Sequence, residues 1–79
     1  MAGTFYYMAK LLGYDAHQIA GYVPLRSGNM GVHSWVEIDM NGSTYVFDPD
    51  FTHESGRNGY QISYGMSGTW RYSNYYRMN

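Results

Sequence analysis

The sequence predicts an α+β domain in which one short N-terminal helix packs on an antiparallel β-sheet, and three observations lead there. Apolar residues near the N-terminus recur at helical spacing, residues 32–40 alternate between apolar and polar, and Asn41-Gly42 stands between two strand-like runs. The first pattern asks for a helix with one apolar stripe. The other two ask for a hairpin with one face toward a core.

Taken in order, Phe5, Met8, Ala9, Leu11 and Leu12 predict a helix over residues 4–12. Gly13 stands where a C-terminal cap belongs, and Lys10 in the last turn suits the helix dipole. Residues 16–23 are apolar and partly β-branched and read as a strand that leaves the sheet before Pro24, followed by a loop over residues 26–31. Residues 32–40 form the clearest strand: Val32, Ser34, Val36, Ile38 and Met40 line one face, and His33, Trp35, Glu37 and Asp39 the other. The Asn41-Gly42 turn returns the chain through residues 44–47, and Asp48-Pro49 stops it. Residues 51–59 are polar and Gly-rich and read as a surface loop, while residues 60–64 and 68–72 read as short strands or as an aromatic tail wrapped over the core.

Seventy-nine residues without a cysteine fit a single domain, residues 1–79, with neither disulfides nor thiolate metal ligands to staple it. Cohesion falls to the ten Tyr and two Trp, whose rings bury area while keeping a polar tip, and to six Met suited to core filling. Five Lys+Arg against six Asp+Glu leave no electrostatic footprint for nucleic acid or an anionic membrane. The apolar stretches are far shorter than a bilayer span, and the N-terminus lacks the pattern of a signal peptide. The surplus of Tyr, Asn, Ser and Gly over Lys and Glu points toward the extracellular face or cell surface of a bacterium. No cofactor motif is present, and His17, His33 and His53 sit on three separated segments without the close spacing of a metal site.

The informative constellation is His33-Ser34-Trp35-Val36-Glu37 followed, beyond the hairpin, by Val46-Phe47-Asp48-Pro49. Around an Asn-Gly turn, residues at nearly matched distances from the turn come side by side, so His33 and Asp48 fall near the far ends of the two arms. A carboxylate on one imidazole nitrogen fixes the tautomer and leaves the other nitrogen for a nucleophile. Asp48 also reads more simply as the cap of an Asp-Pro turn. Trp35 reads as core or as a ligand platform, and Glu37 and Asp39 as a solvated strand face. His17 and His53 read as solvated. Tyr64, Trp70, Tyr72, Tyr75 and Tyr76 read either as cover for the sheet and its edge or as a stacking surface for sugar or peptide rings.

The order Leu12-Gly13-Tyr14, Gly21-Tyr22-Val23-Pro24, His33-Ser34-Trp35-Val36-Glu37, Asp48-Pro49 resembles the transglutaminase-like superfamily over residues 4–50. The resemblance implies a papain-like or transglutaminase-like core. In it a cysteine on the first helix attacks a carboxamide or peptide carbonyl, His33 acts as general base, Asp48 orients it and Trp35 lies in the substrate cleft. It also implies a peptide or protein substrate, possibly a cell-wall component. In the family the cysteine lies about four turns, ~14–15 residues, before the Leu-Gly corner, a position that falls ahead of Met1. The expectation is a truncated thiol enzyme, a cysteine acyltransferase or peptidase inactive without its nucleophile. The alternatives are a peptide- or glycan-binding module derived from that fold, or a domain that self-associates through the truncated helix edge.

Overall fold

The computed structural model describes residues 2–25, 27–66 and 71–79. Helix α1 spans Ala2–Leu11, strand β1 Asp15–Pro24, β2 Met30–Met40 and β3 Ser43–Phe47; a second helix, α2, spans Pro49–Ser55 and a last strand, β4, Ser73–Arg77. The four strands form one antiparallel sheet in the order β3-β2-β1-β4. The α+β class expected from the sequence is therefore present.

α1 ends as its residues dictate: Leu12 and Tyr14 donate back to Met8 and Ala9, while Gly13 takes the left-handed conformation at φ 90°. β1 and β2 pair without interruption from Asp15↔Asp39 to Pro24↔Met30. Pro24 thus closes a ladder that the sequence ended one residue earlier. Met30 and Gly31, expected in a loop, belong to β2. Pro24 is tolerated because it is the terminal pair, where the missing N–H disturbs least. The β2–β3 turn is the two-residue type expected of Asn-Gly, with φ of 52° and 82° at Asn41 and Gly42.

Strand alternation sends two sets of side chains to the two faces of the sheet. On one face Ala16, Val36 and Ile38 bury against Ala2 and Ala9 of α1, with Phe5, Tyr6, Met40 and Phe47 around them. On the other, Ile19, Val23, Trp35, Val46 and Ile62 form a second core under Tyr64 and Tyr72. The C-terminal chain is thus the second layer. It crosses as a bridge at Val46↔Ile62 and then adds β4 to the open edge of β1, which would otherwise be exposed. Residues 60–64, read as a strand or a tail, contribute that single bridge. Residues 67–70, including Trp70, and Arg26 of the β1–β2 loop lie outside the described residues.

α1 covers its face incompletely. Tyr7, Met8, Leu11 and Leu12 remain largely exposed, and an apolar groove of about 360 Å³ opens between Phe5, Met8, Leu12, Ile38, Met40 and Phe47. Among the described residues no helix is long and apolar enough to cross a membrane.

Gly21 shows how closely the second layer sits. A Cβ there would lie 2.6 Å from the Trp35 ring and 2.7 Å and 3.0 Å from Cβ and Cα of Tyr75. Gly21→Ala must push β4 off the sheet or displace Trp35, at an expected cost of about 1–3 kcal/mol. Thermal denaturation of the variant checks this. A midpoint equal to that of the parent would mean that β4 is not held against Trp35.

Candidate functional site

Asp48 is where the elements converge. It follows β3 and caps α2, accepting from the Phe51 backbone N–H at 3.1 Å, with Pro49 at the helix start and Gly56 closing the end in the left-handed conformation at φ 71°. The helix escaped the sequence reading because its interior is polar, although both of its end signals were present. Gly59 clamps Asp48 from behind: the Asp48 N–H donates to Gly59 O at 2.7 Å, and a Cβ on Gly59 would stand 2.4 Å from Asp48 O.

The carboxylate is fully buried and reaches across the sheet to His33, whose Nε2 lies 2.9 Å and 3.1 Å from the two oxygens. A third partner, unforeseen from the sequence, is Tyr72, whose hydroxyl donates to Asp48 Oδ2 at 2.7 Å. Asp48 therefore partners the imidazole, with Nε2 of His33 on the carboxylate side, and caps a helix where the sequence offered the cap of a turn. The His33 side chain is 12% exposed.

Trp35 is entirely buried. Its ring lies 5.8 Å from that of His33 and 4.4 Å from that of Tyr72. Of the two readings the sequence offered for Trp35, the structure matches the core. A direct substrate contact by Trp35 does not agree with a ring sealed beneath Tyr72 and Tyr75.

Beyond Trp35 the same face carries a second polar chain. Trp35 Nε1 donates to Tyr64 Oη at 2.9 Å, Tyr64 Oη donates to Glu37, and Arg77 Nε donates to Glu37 at 3.0 Å. Glu37, expected on a solvated face, is buried. That is permitted because a hydroxyl and a guanidinium meet its charge. His17, also expected in solvent, is largely buried among Asp15, Asp39 and Asn79, whereas His53 is exposed as anticipated. The three histidines do not converge. Among the described residues the groups able to share a cation are instead Asp15, His17 and Asp39, and His33, Asp48 and Asp50.

No family model, curated protein or solved structure matches this chain. What can be said of the site rests on its own geometry: a buried carboxylate holds an imidazole at the rim of the sheet, braced by a tyrosine from the C-terminal layer.

Burial, reinforced by donation to Asp48, raises the Tyr72 hydroxyl above its ordinary value of 10.0. Burial and donation to Glu37 raise Tyr64 likewise, against the opposing donation from Trp35. The folded state holds both protons more tightly than the unfolded chain. Their contribution to stability is thus intact below pH 10.0 and lost as pH rises beyond it. Melting temperatures between pH 9 and 11.5 are expected to fall more steeply for the parent than for Tyr64→Phe or Tyr72→Phe, and parallel profiles would contradict the assignment. Asp48→Ala leaves His33, Tyr72 and the α2 terminus without their acceptor and is expected to cost about 3–5 kcal/mol. Asp48→Asn, which retains the cap, should cost less. Urea denaturation followed by circular dichroism measures the difference.

Proposed function

We propose that His33 and Asp48 are the acid–base half of a thiol acyl-transfer site of the transglutaminase-like kind, acting on peptide or protein carboxamides, with the thiol contributed from outside these 79 residues. The observation that carries the reading is the Nε2 to Oδ2 distance of 2.9 Å to a fully buried Asp48. An imidazole so held has its orientation fixed, as a base that takes a proton from a thiol and returns it to a leaving amine requires.

The course of α1 supports the same reading. A Cβ on Gly3 would stand 3.8 Å from Gln18 Nε2, which in turn lies 3.4 Å from Ser34 Oγ, and the later residues Met8 and Leu12 flank Ile38 and Met40. The helix therefore starts beside Gln18, the residue paired with Val36, and runs toward Ile38 and Met40.

A second reading, a non-catalytic module that binds peptide or glycan, is favoured by one specific observation. His33 projects from the face covered by Tyr72, opposite the face covered by α1. A helix-borne thiol must then reach the imidazole around the end of the strand.

The two readings separate on one experiment. A set of chains extended at the N-terminus by helix-forming residues, each with a cysteine at a different position, is titrated with iodoacetamide near neutral pH. The thiol reading expects at least one position to react about tenfold faster than free cysteine and to lose the excess in His33→Ala. Reactivity equal to free cysteine at every position, or unchanged by His33→Ala, would favour the binding module.

A further inference from the structure

At the other end of β2 lies a second imidazole among carboxylates. Asp15 and His17 are two apart on β1 and so share a face, and the register sets Asp15 directly opposite Asp39. His17 Nε2 is 3.1 Å from Asp15 Oδ1 and 3.5 Å from Asp39 Oδ2. The other ring nitrogen, Nδ1, is 3.0 Å from the backbone oxygen of Asn79, an atom that only accepts, so Nδ1 carries a proton. In the neutral ring Nε2 then presents a lone pair.

That nitrogen is itself buried from solvent and makes no hydrogen bond among the described residues. Both carboxylate oxygens are near, but they lie off the direction an N–H would take. Such a placement is poor for a neutral lone pair facing negative charge and serves an imidazolium only as an ion pair without a hydrogen bond. It does suit three ligands of one cation. Around a tetrahedral zinc with donors at about 2.0–2.1 Å, donor atoms stand roughly 3.3–3.4 Å apart, and the observed separations of 3.1 and 3.5 Å bracket that value.

The surroundings are of the kind that orients metal ligands. The Nδ1–H bond to the main-chain oxygen of Asn79 fixes the tautomer, and Thr44 Oγ1, 2.5 Å from Asp39 Oδ1, fixes the carboxylate. Arg77 Nη2 also reaches both oxygens of Asp39, at 3.2 and 3.1 Å, and would compete with a cation for that ligand.

We propose that Asp15, His17 and Asp39 bind a divalent transition metal of the zinc class, with one position left for water or an external ligand. The site does not depend on the reading of His33. His33 and Asp39 are six residues apart along β2, roughly 20 Å at strand spacing. The grouping of His33, Asp48 and Asp50 is the poorer candidate, because Asp48 already accepts from His33, Tyr72 and the Phe51 N–H.

Isothermal titration of the untagged full chain with ZnCl₂ in a non-chelating buffer at pH 7.5 tests the site. One equivalent per chain is expected, with a rise in melting temperature. Affinity should fall at least tenfold in His17→Gln and in Asp15→Asn and stay within twofold in His53→Ala, a change at an exposed residue. Asp15 is 64% exposed, so Asp15→Asn reports on the ligand without endangering the fold. No heat up to millimolar zinc, binding that survives both His17→Gln and Asp15→Asn, binding lost in His53→Ala, or calcium taken in preference to zinc would each overturn the proposal.

Discussion

The buried carboxylate of Asp48 is the constraint on which the rest of the structure depends. A carboxylate sealed from water is costly unless donors surround it, and here each donor comes from a different part of the chain: His33 from β2, the Phe51 N–H from α2 and Tyr72 from the C-terminal layer. Satisfying one charge therefore ties the hairpin, the second helix and the chain end to a single point. None of these segments is large enough to be stable alone in a chain without cysteine. The same convergence gives His33 an orientation that an isolated strand histidine would not have.

The face of β2 that carries His33, Trp35, Glu37 and Asp39 departs from the usual pattern in which the polar side of an alternating strand meets solvent. Each polar group on it is answered by the chain that follows β3. Asp48 meets the histidine and is itself met by Tyr72, Tyr64 meets the indole N–H, Tyr64 and Arg77 meet Glu37, and Arg77 continues to Asp39. The tyrosines are suited to this work because each covers apolar area with its ring and places one hydroxyl on a buried acceptor. The closed result explains how a strand with acids on its polar face forms the centre of the sheet, flanked by β1 and β3.

Where the sequence was legible, the cause was local chemistry. Gly13 ends α1, Asn41-Gly42 turns the hairpin and the alternation of residues 32–40 sets two faces, and all three are decided within a few residues. The pairing of His33 with Asp48 was legible for the same reason, since one tight turn separates their arms. What escaped depends on contacts distant along the chain. β4 exists because the edge of β1 is open, α2 because Asp48 is held in place to cap it, and the burial of Glu37 follows from Tyr64 and Arg77, 27 and 40 residues away. Asp15 and His17 carried a local signal, an i, i+2 pair on a strand, but its third member, Asp39, is supplied by register alone.

The side of the sheet on which His33 lies sets the demand on any nucleophile. With Tyr72 donating to Asp48 and the Trp35 ring 5.8 Å from that of His33, the Asp48 side of the imidazole is closed, and the side chain keeps 12% exposure. Val32 is 80% exposed and Met30 47%, so this end of β2 offers apolar surface on which a further segment of chain can pack. A nucleophile delivered there would meet an imidazole already turned and braced, and the reorganisation cost of aligning the base would have been met in folding. If instead nothing docks at that end, the same bracing serves stability alone, because a histidine–aspartate pair that anchors three segments is useful to the fold whether or not it ever moves a proton.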